Sequence, residues 1–182
     1  MTAEIDGLIA EVAAARQRVI AAIAGITEEQ ATWQPALEEW SVAQVVEHLV
    51  LAEHSGIIRM WQAVVGLQRG EPVWRGEPVH RGKSIEQNIA ETWRAREAAP
   101  PNATPQTNGP LAYWVASLAA CAPVVGTLGE ALAPFDLEAV IAPHFLSGPL
   151  DARQRFEFLR WHMDHHREQI AAIMTQQHGQ TG

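Results

Sequence analysis

The stretch WSVAQVVEHLVLAEH, residues 40–54, reads as the opening of a long helix and decides the fold. Ser41 can cap the first turn, Gln44 three residues on can bond back to the cap's own N–H, and Trp40 and Val45 occupy the staple positions. Val42, Val45, Leu49 and Ala52 then recur at three- and four-residue spacing, with His48 on the edge of that apolar stripe. His54, six residues past His48 and about 240° further round, is expected at the surface. The helix is predicted to continue to residue 67.

The same period recurs on both sides of this segment. A first helix is predicted over residues 2–24, with Ile5, Leu8, Ile9, Val12, Val19, Ile20 and Ile23 on one side and charged residues on the other, closed by Gly25. After a connection rich in Gly and Pro, Ser84 and Gln87 repeat the capping-box spacing and open a shorter helix to about residue 98. A third long helix is predicted over 110–133, with Pro110 in its first turn and a bend at Pro123. A fourth starts near Pro149 or Leu150 and reaches about residue 177. β-branched alternation never lasts, so no strand is expected. The chain therefore reads as all-α: a four-helix bundle whose second and third helices are joined by a long crossover carrying an extra short helix. One domain over 1–178, with a frayed tail over 179–182, accounts for the length.

Composition narrows the functional classes. With 182 residues the chain can bury a core without metal or disulfide support. A net charge of −8 and dispersed arginines oppose binding to a phosphate backbone, so no nucleic-acid partner is expected. The N-terminal MTAEIDGLIAEV has acids where a secretory signal has bases, and no run of about 20 apolar residues stands out, so no membrane span is expected. The single cysteine, Cys121, fits a reducing compartment and a small core residue. A cytoplasmic protein is the expectation.

The chemistry concentrates in FLRWHMDHHREQI, residues 158–170. His162 and His166 are four apart, project about 40° from one another, and fall in or beside the stripe of Phe156, Leu159, Met163, Ile170 and Ile173. Both are expected to face inward, as is His48. Buried imidazoles need hydrogen bonds, water or a metal, and spacing alone leaves those alternatives open. Di-iron carboxylate chemistry needs Glu-x-x-His pairs on helices; the one such spacing, Glu77 with His80, lies in the Gly/Pro-rich connection. HExxH, GxSxG, P-loop and Rossmann patterns are absent. Asp164 and Glu168 point off the His162/His166 face.

Taken together, WSVAQVVEHLVLAEH, APHFLSGPL before the last helix, and FLRWHMDHHREQI within it resemble the DinB-like/YfiT-like superfamily, which includes bacillithiol and related thiol S-transferases. The resemblance covers nearly the whole chain in helix order. It implies a four-helix bundle that holds one divalent metal ion, nickel or zinc, on His48, His162 and His166. It further implies a thiol S-transferase or hydrolase acting on a small molecule, with a low-molecular-weight thiol as the candidate co-substrate; a non-catalytic, stress-associated metal-binding protein is the alternative. Gln169, His144 and His165 are candidates to support the ligands from outside. Three neutral imidazoles leave a +2 ion with an open position, the arrangement of a catalytic zinc-type site. Trp61, Trp114 or Trp161 is expected to wall the site, and apolar surface left outside the bundle would favour a homodimer.

Overall fold

In a computed structural model the described residues are 2–76, 79–94 and 98–180. Helices dominate: α1 Ala3–Ala22, α2 Glu28–Thr32, α3 Val42–Gln68, α4 Ile85–Thr92, α5 Leu111–Leu132 and α6 Ala152–Gln180, with a hairpin of β1 Ile141–His144 and β2 Gly148–Asp151 before α6. The four long helices close a ring. α1 packs on α6 and α5, and α3 packs on α5 and α6, so each helix buries one stripe against two neighbours. The connection between α3 and α5 carries α4, which lies on α6, and a 3-10 turn over Pro101–Ala103, which lies on α3.

Local chemistry explains the boundaries. Ser41 accepts from the Gln44 N–H while the Gln44 side chain accepts from the Ser41 N–H, and Ser84 with Gln87 repeats the arrangement at α4. Two more boxes were not read from the sequence. Thr27 with Gln30 starts α2, and Asp151 with Gln154 starts α6, since Asp151 accepts from the Gln154 N–H at 2.8 Å and donates its own N–H to Gln154 Oε1 at 3.2 Å. α6 thus begins two or three residues later than expected and ends three later, at Gln180; of the predicted tail, 181–182 lie outside the described residues. α4 stops at Thr92, well short of residue 98, and 95–97 lie outside the described residues. Pro110 caps α5 rather than entering its first turn, and α5 runs on through Pro123.

The hairpin corrects the expectation of no strand. β1 and β2 pair antiparallel with Ile141 opposite Asp151 and His144 opposite Gly148. Four-residue strands containing Pro143 and Pro149 are too short to show alternation, and Gly148, at φ 71°, makes the left-handed turn that only glycine takes without strain. A second correction concerns α5. Its 22 residues, of which 18 in a row reach a mean hydropathy of 1.7, are long and apolar enough to cross a membrane by length and composition alone. In the fold, Leu111, Trp114, Leu118, Cys121, Val125, Leu128 and Leu132 form its buried stripe.

Beneath that stripe sits a buried ion pair. Arg16 on α1 donates to Glu53 on α3, both 2% exposed, and the Cys121 thiol lies beside them. Burial first, and then the Glu53 carboxylate, push the Cys121 thiol up to about 12, so it stays protonated and unreactive.

Candidate metal centre

α3 and α6 run antiparallel across one side of the bundle, which sets His48 against His162 and His166. The Nε2 atoms of His48 and His162 are 3.1 Å apart, as are those of His166 and His162, and all three lie within 4.8 Å of one another. Each ring is buried, between 5% and 8% exposed. His48 Nδ1–H donates to the Ala103 carbonyl at 2.7 Å, and His166 Nδ1–H donates to Gln169 Oε1 at 2.7 Å. Both bonds fix the tautomer, because the nitrogen that donates outward leaves Nε2 with its lone pair turned inward.

Electrostatics keep those lone pairs free. Burial lowers the pKa of His48; burial and then the neighbouring His48 hold His166 down at about 3; burial followed by His166 and His48 holds His162 well below the ordinary value. All three are neutral at pH 7. The donor set fits a divalent ion: nitrogens about 2.0–2.1 Å from a common centre stand about 2.8–3.4 Å apart between octahedral and tetrahedral geometry, which brackets the 3.1 Å from His162 to each of the other two. Left without an ion, these inward lone pairs would face one another with at most one proton, on His162, to share between them.

The surroundings differ from expectation at the walls. Trp40 packs on His48 at 4.9 Å between ring centroids, and Phe158 stacks on His162 at 5.1 Å. Trp161 instead stacks on His165 at 4.9 Å, Trp114 is buried on α5, and Trp61 lines a separate shallow groove. His165 is exposed on the cavity lining, its ring 5.2 Å from that of His166, while His54 is exposed as expected. His144 at the end of β1 is half-buried: its Nδ1 accepts from the Ser147 N–H at 3.0 Å, and its ring lies 4.5 Å from Phe158. Asp164 is taken by Arg18 on α1, and Glu168 sits at the cavity rim. His80 is buried in the connection with Nδ1 unpartnered, apart from the cluster; Glu77 lies outside the described residues.

Two contributors had no sequence signal. The Ala103 carbonyl comes from a turn 55 residues from His48. Glu47, buried beside His48, accepts backbone N–H bonds from Gln106 and Thr107 at 2.8 Å and from Asn108 at 3.2 Å, which pins that connection to α3. The triad opens into a cavity of about 890 Å³, large enough for a small-molecule ligand.

Helical bundle and buried three-histidine group together define a metal-binding bundle protein. The chain belongs to the DinB superfamily, whose family model matches residues 11–170. No curated protein and no solved structure matches it.

Proposed function

We propose that this protein is a metal-dependent enzyme acting on a small molecule, with thiol S-transfer the leading reaction and hydrolysis the alternative. The observation that carries it is the convergence of three neutral Nε2 lone pairs on the wall of a substrate-sized cavity. His48, His162 and His166 would hold one divalent ion, nickel or zinc as the family resemblance implies. When bound, such an ion supplies Lewis acidity, making a thiol or water beside it acidic enough to serve as a nucleophile near neutral pH. The chain's own residues do the rest. The Ala103 carbonyl and Gln169 orient the ligand rings, and Trp40 and Phe158 exclude water from one side of the triad. Among the described residues no carboxylate joins the three histidines, which would keep a bound ion's full positive charge available. We further propose that the protein works in the cytoplasm as a homodimer.

Elemental mass spectrometry on untagged protein, purified without metal-affinity resin or chelator, tests the site. About one equivalent of nickel or zinc is expected, falling to near zero in His162→Ala/His166→Ala. No metal in either, even after soaking with both ions, would overturn the metal site. A loaded protein that turns over no combination in a panel of low-molecular-weight thiols, alkyl halides, epoxides and esters would favour the non-catalytic alternative.

A further inference from the structure

The cavity holds a second set of charged groups that the metal site does not use. Arg155 lies on α6 seven residues before His162, which places it on the same helix face about 10 Å away along the axis. It is 4% exposed. Its Nη2 donates to the Pro143 carbonyl at 3.2 Å, its Nε has no partner, and it rests on α3 at Gly56, where a Cβ would stand 3.8 Å from Arg155 Cδ and Nη1. Among the described residues its charged neighbour is Arg59, exposed one turn further along α3 and also on the cavity wall. Among the described residues neither arginine forms an ion pair. Elsewhere the chain supplies partners: buried Arg16 has Glu53, and half-buried Arg153 has Glu157.

Desolvation, then repulsion from Arg59, lowers Arg155 to about 10, so it remains a cation at neutral pH. His144 stands near both, and because its Nδ1 accepts from Ser147 its Nε2 is the donor nitrogen. The carboxylates that line the cavity, Glu38, Glu39 and Glu168, neighbour Trp40 and Gln169 at the histidine end in sequence. Among the described residues, that end of the cavity is thus cationic and without a carboxylate counter-ion.

Building on the metal-site function proposed above, we propose that the cavity takes a small molecule bearing a carboxylate, seated on Arg155 and Arg59, about 10 Å from the end of the molecule that reaches the three histidines. Guanidinium forks match a planar carboxylate, and the cavity's depth makes the charge distance a selection for ligand length.

Isothermal titration with simple probes tests this. Hexanoate should bind the metal-free protein at least tenfold more tightly than hexanol, and Arg155→Met and Arg59→Gln should each remove most of that preference. Arg155→Met should also melt no lower than the parent, since it removes an uncompensated buried charge; Arg155→Lys should retain part of the preference. Equal binding of hexanoate and hexanol, or a preference untouched by both variants, would overturn the anion subsite, and tighter binding of hexyl phosphate than hexanoate would overturn the carboxylate assignment. Titrating the zinc-soaked protein with 6-mercaptohexanoate separates the two proposals. A gain over hexanoate that vanishes in His162→Ala supports the histidine end, whereas no gain with intact hexanoate binding counts against the thiol function alone.

Discussion

At His166 a single side chain shows what spacing can and cannot reveal. Its pairing with His162 follows from a four-residue interval, and so does the reach of Gln169, three residues on. The direction of the Nδ1–H bond, which turns Nε2 inward, needed the actual rotamers. Gln169→Leu is expected to weaken zinc or nickel binding by roughly 10- to 100-fold, as loss of an orienting partner does, with the fold intact; competition against a chromophoric chelator measures it. Acid should act on the same groups. His144 and His166 have folded pKa values of about 3 against an ordinary 6.5, so below pH 6.5 the unfolded chain binds protons that the folded chain refuses. Their contribution to stability is complete above pH 6.5 and is lost as pH falls from there toward 3, at up to about 1.4 kcal/mol per pH unit for each histidine. Glu53 and Asp151, raised by burial, act with the opposite sign from near 4 upward to their raised values, which offsets part of the loss toward the acid end. The metal-free protein should therefore melt progressively lower from pH 6.5 to 5.5, and a flat melting temperature over that range would contradict buried neutral histidines. Arg155 had no such sequence signature, because a charge without a partner is visible only once the neighbouring helix is in place.

Among the secondary-structure elements, the four long helices and α4 were legible from period and capping, while α2 and the box that starts α6 were missed although they carry the same capping spacing. Ser41/Gln44 and Ser84/Gln87 set the starts of α3 and α4 from four letters each, and Thr27/Gln30 carries the same signal for the five-residue α2. The β1–β2 hairpin and the path of the 69–110 connection were not legible, since both depend on long-range bonds. Glu47 holds that connection through three backbone N–H groups, and the turn it pins carries the Ala103 carbonyl that orients His48. Glu47→Ala leaves those donors unsatisfied, at about 1–3 kcal/mol. A melting temperature lower by several degrees is expected. Faster proteolytic cleavage within 98–110 and weaker metal binding should accompany it, even though Glu47 touches no ligand nitrogen. Unchanged metal affinity in that variant would mean that the turn is held by something other than Glu47.

The ring order of the whole bundle, α1, α6, α3, α5, sets α5 diagonally across from α6, the helix that carries two of the three candidate ligands. That arrangement was readable from the sequence only as four long amphipathic helices; which pairs touch was not, because every stripe is apolar enough to accept any other. It also leaves the outward side of α5 apolar. Residues 111–129 contain no charged side chain, and Tyr113 and Val124 are 56% and 42% exposed, with exposed alanine 112 beside Tyr113 and exposed alanines 116, 119 and 120 between the two. On a chain of net charge −8, most faces would repel a second copy, whereas this one brings no charge to the contact. Small side chains there also let two helices approach closely. The proposed homodimer is accordingly expected through α5, with the cavity between α3 and α6 left open on the far side. Sedimentation equilibrium should give twice the 20.0 kDa chain mass at micromolar concentration. Ala116→Arg/Ala120→Arg, which places two like charges on the contact of each copy, should return the monomer mass while metal content stays at the parental level. A parent that sediments as a monomer would remove the dimer. A dimer untouched by these substitutions would move the contact to another face, and a loss of metal along with the dimer would mean that the two sides of the bundle are coupled.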